Sequence, residues 1–280
     1  MNHKELKIIN VIVIYNLLIT DSPIFNCLTK QLNKDAQILI VDNSTNEIIS
    51  KQNGLSANTE KYVKYLSSGG NFGLSKAYNR VQQFRSQFDW AVFWDQDTKC
   101  SSDYLEHLRV EILNNKTAKM IVPIVYSAKG QMSPRSYEGS RIKGPIEGYG
   151  FKKRLTAINS GLAVEIEKFV EIGMYNEKMF IDYLDHDLII RYNRLVGDIF
   201  VSQNILKQNF SDDHRDNYQG DIFRFSKYIT DYKIFTNNVS GSEIFYWSKI
   251  FYRAVKLGMS YKSFSFIKEV FKTIKFIREN

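Results

Sequence analysis

Short apolar runs alternate with helix-like spacing of apolar residues along most of the chain, and polar residues follow each run. The runs that predict β-strands are Ile8 to Tyr15, Gln37 to Val41, Tyr62 to Leu66, the segment ending at Asp95, and Met120 to Tyr126. Helix signals begin between them, at Ser22-Pro23, at Leu74 and at Ser102. Strands that alternate with helices predict βαβ units, and therefore an α/β fold with a mostly parallel sheet flanked by helices.

Polar residues or glycines stand where four of these strands end. They are Asn16, Asp42, the turn Gly69 to Gly73, and the pair Asp95 and Asp97. Because ligands of parallel sheets bind at the carboxyl ends of the strands, we expect these residues to lie along one edge of the sheet.

The pair Asp95 and Asp97 follows the most apolar of these runs, which begins at Phe88. In an extended segment residues i and i+2 point the same way, so both carboxylates could hold one hard cation together with phosphate oxygens of a ligand. The alternative is a strand end followed by a polar turn, where Asp is common.

The turns after the second and third strands offer weaker signals. Asp42 could accept a hydrogen bond from a ring N–H of a pyrimidine base, or it could simply shape an Asx turn. Gly69-Gly70-Asn71-Phe72-Gly73 could present backbone N–H groups to an anion. It is not a Walker loop, because no Gly-Lys-Ser/Thr follows it.

A second acidic cluster follows a segment without clear periodicity. Residues 127–154 are rich in Gly and Pro, which favours a mobile loop over a site and leaves a linker as the alternative. After a strand at Ile158 to Val164 come Asp182, Asp185 and Asp187, with a helix expected from Asp185. Capping is the plain alternative for Asp182 and Asp187. We interpret His186 and His214 as capping or solvated side chains, and Cys27 and Cys100 as packing residues.

Composition and charge limit the functional classes, the domain organisation and the cellular compartment that the sequence allows. The chain has 280 residues, 44% of them hydrophobic, and a net charge of +8. Between Lys249 and Arg278 the chain has eight basic residues and one acidic residue, Glu269, so this segment carries +7 of the net charge. The rest of the chain is nearly neutral, which argues against a nucleic-acid-binding surface on the main domain. We therefore expect two parts, an α/β domain over residues 1–215 and a helical, basic extension over 216–280. Two cysteines without metal spacing, and no signal peptide or long apolar run, predict a cytoplasmic protein.

The C-terminal segment has the pattern of a basic amphipathic helix. Its apolar positions are Phe264, Ile267, Val270, Phe271, Ile274 and Ile277, with Lys268, Lys272, Lys275 and Arg278 between them. The segment could pack on the domain with a solvated basic face. We favour an anchor on an anionic membrane, peripheral on the cytoplasmic face, because each Lys or Arg near such a surface adds about 1 kcal/mol of binding free energy.

The strand ends, the glycine-rich turn and the two acidic clusters follow one another in an order that resembles the family 2, A-type (GT-A) glycosyltransferases over residues 8 to 210. Asp95-Gln96-Asp97, the Asn-x-Gly-x-x-x-Ala-x-Asn pattern of Asn71 to Asn79, and Phe180-Ile181-Asp182-Tyr183 are most similar to the bacterial rhamnosyltransferases. The resemblance implies a Rossmann-like GT-A fold and inverting transfer from a nucleotide sugar. It also implies Mg²⁺ or Mn²⁺ held by Asp95 and Asp97, base recognition by Asp42, and Asp185 as the catalytic base. Further donor-binding residues implied by it are Asn16, Asn43, Gly70, Asn71, Gly73, Asn79, Asp95 and Gln96.

Two features depart from the family pattern. Many relatives have an acidic pair where this chain has Leu184-Asp185. Many also carry a histidine near the diphosphate, in a region filled here by Leu206 to Phe210, and Lys207 or His214 would have to replace it.

The functional expectation is transfer of rhamnose from dTDP-rhamnose to a lipid-linked oligosaccharide in surface polysaccharide synthesis. A UDP-hexose donor and a non-catalytic sugar-nucleotide or polysaccharide-binding protein are the alternatives. A nucleotidyltransferase is less favoured, because no Lys/Arg-rich loop follows the first strand to hold a triphosphate. The expected partners are the donor, the acceptor and an anionic membrane surface, without nucleic acid, and an oligomer is left open.

Overall fold

The computed structural model describes residues 5–208 and 218–279, with side chains as far as residue 275. The strands are β1 Ile8–Ile14, β2 Ala36–Asp42, β3 Val63–Ser67, β4 Trp90–Asp95, β5 Met120–Ser127, β6 Gly130–Ser133, β7 Arg135–Glu138, β8 Arg141–Pro145, β9 Gly150–Lys152, β10 Leu155–Thr156, β11 Leu162–Glu165 and β12 Ile199–Lys207. The α-helices are α1 Pro23–Leu28, α2 Glu47–Asn58, α3 Leu74–Asn79, α4 Tyr104–Asn114, α5 Ile166–Glu171, α6 Leu184–Leu195, α7 Tyr218–Asn238, α8 Glu243–Tyr261 and α9 Ser265–Glu279.

The central sheet has the strand order β3-β2-β1-β4-β11-β5-β12-β9, with β6 paired to β5. Neighbours are parallel from β3 to β4 and between β5 and β12, whereas β11 runs antiparallel to both β4 and β5. The predicted mostly parallel sheet flanked by helices is therefore confirmed. Since β11 runs against β4, the turn before β11 lies at the same edge as the carboxyl end of β4, and Ser160 comes close to Asp95.

The strand β1 is buried along its whole length, and it is apolar at every position except Asn10, because both faces of the sheet are covered. Ile9, Val11 and Val13 belong to one hydrophobic cluster, and Ile8 and Ile12 belong to the other. Successive side chains on a strand point to opposite faces, so a strand between two helical layers reads as a continuous apolar run. This is why the sequence located β1, β2 and β4 well.

Two local expectations differ from the structure. Residues 127–154 are neither an unstructured loop nor a linker, because they contain the short strands β6 to β9. Strand β6 pairs with β5 and β7 pairs with β8 as short antiparallel hairpins, and β9 pairs antiparallel with β12. Such short strands lack the apolar alternation that reveals longer ones. Helix α2 was not anticipated. Asn53 and Ala57 are its fully buried residues, so it carries little apolar periodicity.

The C-terminal helices share a core with the sheet. Phe225 and Tyr232 of α7, Tyr246 of α8 and Phe266 of α9 are fully or almost fully buried in the same cluster as Val11 of β1. The predicted boundary at residues 215/216 lies outside the described residues. In the part of the chain that the structure describes, none of the helices is both long enough and apolar enough to cross a bilayer.

Candidate active site

A cavity of about 450 Å³ opens at the carboxyl ends of β1 and β4, between the sheet and helix α7. Seven of the predicted site residues line it, namely Asn43, Asn71, Gly73, Asp95, Gln96, Asp97 and Asp185. Its other walls include Tyr15, Phe180 and Gln208. The structure thus brings Asp185 of the second acidic cluster to the same cleft as Asp95, which is 90 positions earlier in the sequence.

Asp95 is held in the cleft by three side chains. Its Oδ2 accepts hydrogen bonds from Ser160 Oγ at 2.7 Å and Gln208 Nε2 at 3.2 Å, and its Oδ1 lies 3.3 Å from the Tyr78 hydroxyl. Burial raises the pKa of Asp95, the hydrogen bond from Ser160 opposes that rise, and the charge of Asp97 adds to it. A carboxylate whose ionised form is disfavoured by burial and by a like charge is stabilised when a cation binds.

The Asp95 and Asp97 carboxylates are oxygen donors of the kind that Mg²⁺ and Mn²⁺ prefer. Gln208 Nε2 also lies 3.4 Å from Asp97 Oδ1, so one amide orients both acids. No group of three or more metal-binding side chains occurs within residues 5–208 and 218–279. The pair therefore fits a cation that completes its coordination with phosphate oxygens and water, and does not form a cage of protein ligands.

The three acids of the second cluster have different surroundings. Asp185 lies in the first turn of α6 and lines the cleft, with Oδ1 accepting the His186 N–H at 2.7 Å. Asp187 is buried and pairs with Arg191 at 2.9 Å, and it also accepts a hydrogen bond from Asn238 at 2.8 Å. Asp187 therefore ties α6 to α7, whereas Asp185 is placed where a ligand can reach it. Asp182 belongs to the loop that precedes α6.

Gly73 joins the glycine-rich turn to that loop. The Leu74 N–H donates to Phe180 O at 2.7 Å, and Asn43 Nδ2 donates to Gly73 O at 3.1 Å. Gly73 has φ of +87°, and a Cβ atom there would lie 2.7 Å from Phe180 O. Glycine is needed at this position both for the backbone conformation and for the close approach.

Asp42 does not face the cleft. It is fully buried, and its carboxylate lies 2.8 Å from the Ser44 N–H, 2.9 Å from Asn53 Nδ2 and 2.8 Å from the Tyr65 hydroxyl. Asn43, the next residue, lines the cleft instead. Its Oδ1 is buried and has no hydrogen-bond partner among the residues described by the structure.

Three more predicted donor-binding residues lie away from the cavity wall. Asn16 Oδ1 accepts the N–H groups of Thr45 and Asn46 at 3.0 and 3.1 Å, so it shapes the turn after β2. Asn79 is buried and exchanges two hydrogen bonds of 3.0 Å with the backbone of Tyr175. Gly70, with φ of +146°, belongs to the turn that leads to Asn71.

Sequence reasoning missed Gln208 and one face of α7. Gln208 lies in the Leu206 to Phe210 region, but the expectation there fell on Lys207, whose side chain is exposed, and on His214, which lies outside the described residues. Helix α7 lines the cleft with Gly220, Phe223, Arg224 and Lys227. Their spacing of i, i+3, i+4 and i+7 is a helix-face signal that could have been found had α7 not been treated as an appendage.

A sequence profile described as Glycosyl transferase family 2 matches residues 11–169, which is more than half of the chain. The chain belongs to glycosyltransferase family 2. The matched segment of this family 2 protein begins within β1, contains β2 to β4 with the Asp95 and Asp97 pair, and ends in α5, before α6.

Among curated proteins, the family 2 chain is similar to the dTDP-rhamnosyl transferase RfbF of Shigella flexneri, with 29% identity over 189 residues. The match covers 64% of this chain and 62% of that protein. Among solved structures, it is similar to GalNAc-T7 with UDP, GalNAc and Mn²⁺, at TM-score 0.58 and 16% identity over 90% of this chain and 57% of that one. It is also similar to Staphylococcus aureus TarS 1-349 with UDP-GlcNAc, at TM-score 0.57 and 13% identity over 86% and 69% of the two chains. At these identities the structural matches establish the GT-A fold.

Proposed function

We propose that this family 2 protein is an inverting, metal-dependent glycosyltransferase that moves a sugar, rhamnose by preference, from a nucleoside diphosphate to a hydroxyl of a lipid-linked glycan. The observation that carries the proposal is the arrangement of the cleft. The carboxylates of Asp95 and Asp97 lie in the same cavity as that of Asp185, with Phe180 and Ile181 also in its wall. A sugar in this cavity would have its leaving group near the first pair and its acceptor near Asp185.

Asp95 and Asp97 would hold Mg²⁺ or Mn²⁺ on the donor diphosphate, with Gln208 orienting both carboxylates. When bound, the cation neutralises negative charge as it builds on the departing nucleoside diphosphate. Arg224 and Lys227 bring positive charge from α7 to the same cavity and would support the diphosphate from the other side.

Asp185 would act as the general base. It would take the proton of the acceptor hydroxyl while that oxygen attacks the anomeric carbon from the face opposite the diphosphate, which inverts the configuration. The position of Asp185 in the first turn of α6 supports this role. The backbone N–H of His186 donates to Asp185 Oδ1 and thereby fixes one oxygen of the carboxylate.

We assign recognition of the base to Asn43 in place of Asp42, because Asn43 lines the cleft and Asp42 is fully buried. Because Asn43 Nδ2 donates to Gly73 O, its Oδ1, which is buried and has no partner among the described residues, is the atom left to accept a hydrogen bond. The N3–H of uracil or thymine is a donor of the required kind. Asp42 would then act indirectly, by fixing the turn that carries Asn43 through its bond to Ser44 N.

Rhamnose is preferred over a hexose because of the Shigella flexneri relative, whose name specifies dTDP-rhamnose. UDP-hexose remains the alternative donor, since the solved structures named above contain UDP or UDP-GlcNAc. The donor preference is a proposal for this chain, because the match spans 62% of that relative.

An anionic membrane surface is the proposed location of the acceptor, reached by α8 and α9. Tyr252, Val255 and Met259 form an exposed apolar strip along α8 at 72%, 45% and 75% exposure, with the exposed Lys256 beside it. Two of the eight basic residues counted in the C-terminal segment point inward and do not belong to this surface. Lys249 donates to the Tyr183 hydroxyl at 2.7 Å, and Arg253 lies 4.0 Å from the ring centre of Tyr228. The remaining exposed apolar and basic residues resemble a surface that binds the interface of an anionic leaflet.

Binding of a nucleotide-sugar panel with and without Mn²⁺, measured by titration calorimetry, tests the donor assignment. We expect metal-dependent binding of dTDP-rhamnose over UDP-sugars, lost in Asp97→Ala and kept in Asp89→Ala, which removes an acid from the opposite end of β4. Binding of a UDP-sugar alone would keep the mechanism and discard rhamnose. Binding without turnover on any lipid-linked acceptor would favour the non-catalytic alternative, and no binding at all would contradict the proposed function.

A further inference from the structure

Asp231 on α7 is a buried acid that accepts hydrogen bonds from three consecutive backbone N–H groups. Its Oδ1 accepts from Phe180 at 2.8 Å, and its Oδ2 accepts from Ile181 at 2.8 Å and from Asp182 at 2.9 Å. Bonds from N–H groups to a carboxylate at these distances are charge-assisted and about twice as strong as neutral ones. Burial raises the pKa of Asp231 to about 6, and the three N–H groups oppose that rise, so the carboxylate is ionised at neutral pH.

The segment held by Asp231 leads directly into the proposed catalytic residue. Phe180 and Ile181 line the cleft, Tyr183 adopts a left-handed conformation with φ of +62°, and α6 then begins with Asp185 as its second residue. At its other end the segment is bonded to the glycine-rich turn through Phe180 O and Leu74 N. The position of the Asp185 carboxylate relative to the donor side of the cleft therefore depends on this short stretch of backbone.

We propose that Asp231 is a positioning residue for glycosyl transfer, whose carboxylate fixes the backbone of residues 180–182 and thereby places Asp185 against the acceptor. This inference rests on the proposed function and extends it to a residue of α7 that lies outside the cavity lining. Asp231 acts through the backbone of the loop and not on a substrate. A displacement of about 1 Å in a reacting group can lower a rate on the order of 100-fold, so a loosened loop would affect turnover more than donor binding.

The carboxylate cannot be replaced by its nearest isostere. A side-chain amide has one acceptor oxygen and two N–H donors, whereas the three backbone groups that face Asp231 are all donors. Whichever way the amide is turned, its NH₂ group must face at least one backbone N–H. Asp231→Asn therefore keeps the volume of the side chain while breaking part of the contact.

Steady-state kinetics of Asp231→Asn, with the donor and acceptor found for the wild-type protein, test the proposal. We expect kcat to fall about 10- to 100-fold while the KM for the donor stays within about threefold, since the positioning of the base is lost and the donor-side residues are retained. The matched control is Asp221→Asn, the same change on the same helix. Asp221 accepts a 2.5 Å hydrogen bond from the Tyr261 hydroxyl, outside the cleft lining, and this variant should keep its kcat.

Two outcomes would overturn the inference. One is a kcat for Asp231→Asn within about twofold of that of Asp221→Asn, and the other is a loss of kcat that matches a loss of folded protein measured by circular dichroism. If Asp231→Asn does not fold, hydrogen exchange of the wild-type protein decides instead. Amides 180–182 should exchange as slowly as those in the interior of α6, and exchange at the rate of an open loop would refute the contact. Absence of turnover in the wild type would be a failure of the proposed function, and the exchange rates would still test the contact.

Discussion

Gln208 Nε2 lies 3.2 Å from Asp95 Oδ2, although 113 positions separate the two residues in the chain. The same amide reaches Asp97 Oδ1 at 3.4 Å, so it sets the orientation of both proposed metal ligands. Side chains that orient metal ligands typically contribute 10- to 100-fold to metal affinity, as an order of magnitude. We expect Gln208→Leu to weaken Mn²⁺-dependent donor binding by about tenfold or more, as measured by calorimetry over a series of Mn²⁺ concentrations. Gln203→Leu, at an exposed position of β12, the strand that Gln208 follows, is the control, and equal metal dependence in both variants would contradict this role of Gln208.

Asp185→Asn should abolish transfer while leaving the donor bound. Removal of a general base lowers rates by about 10²- to 10⁴-fold, and the amide cannot accept the proton of the acceptor hydroxyl. Donor affinity, measured separately by calorimetry, should change by less than about threefold, because Asp185 acts on the acceptor. Asp198→Asn, exposed just after α6, should behave like the wild type. A large loss of donor affinity in Asp185→Asn would mean that this carboxylate serves the donor.

Asp187 should prove structural, in contrast to its neighbour two residues earlier. Asp187→Ala would leave the Arg191 guanidinium without its buried partner and remove the bond from Asn238. Removing one member of such a pair costs about 3 kcal/mol of unfolding free energy, which chemical denaturation can measure. The exposed Asp198→Ala should cost less than about 0.5 kcal/mol. Equal stability of the two variants would show that the ion pair contributes nothing to the fold.

Gly73 should tolerate no side chain because a Cβ atom there would clash with Phe180 O. Gly150 serves as the control that separates this clash from backbone strain. Gly73 and Gly150 have φ of +87° and +90°, but a Cβ atom at Gly150 would meet nothing within 4 Å. The backbone strain of the two alanine variants is therefore similar, at about 1 kcal/mol, and the contact with Phe180 O is added only in Gly73→Ala. We expect only Gly73→Ala to lose donor affinity, by about tenfold or more, and we expect it to unfold at a lower temperature than Gly150→Ala. Similar melting temperatures and affinities for both variants would argue against the close approach.

Binding to membranes should depend on the apolar strip of α8. Truncation before α9 is not a clean test, because Phe266 and Val270 are fully buried in the core. Met259→Glu changes a residue that is 75% exposed, and Leu55→Glu makes the same kind of change at a residue of α2 that is 63% exposed. A Met side chain buried in the membrane interface contributes about 1.5–3 kcal/mol of binding free energy. Met259→Glu should therefore lower the partition coefficient onto anionic liposomes, measured by sedimentation, at least about tenfold. If Met259→Glu and Leu55→Glu sediment equally, or if the wild type does not sediment, the membrane assignment fails.

The sequence predicted the sheet and its acidic edge because those features are recorded locally. An apolar run that is buried on both faces and ends in two acids identifies β4 without any knowledge of its neighbours. The sequence does not determine which residue at the end of a strand lines the cleft. Adjacent residues at a strand end point in opposite directions, and a shift of one position exchanges Asp42 for Asn43. The sequence therefore located the turn but not the side chain that lines the cleft.

Contacts between distant segments could not be predicted from the sequence. Gln208 follows a strand that was not anticipated, and Asp231 lies on a helix that the charge pattern had assigned to an extension. Lys249 shows the same limit, since a lysine in a basic segment is expected in water. In the structure it lies against Tyr183 and Tyr232, and burial lowers its pKa to about 8. Helical periodicity shows which residues share a face, but it does not show what that face contacts.

Helix α7 supplies Arg224 and Lys227 to the cleft and Asp231 to the loop behind it, so the cleft is completed from a part of the chain beyond the segment matched by the family profile. A hybrid protein that joins the sheet of this chain to the C-terminal helices of a relative would therefore exchange part of the cleft wall along with its outer surface. We expect changes of substrate preference among such relatives to arise through α7, while the strand that carries the proposed metal ligands Asp95 and Asp97 stays the same.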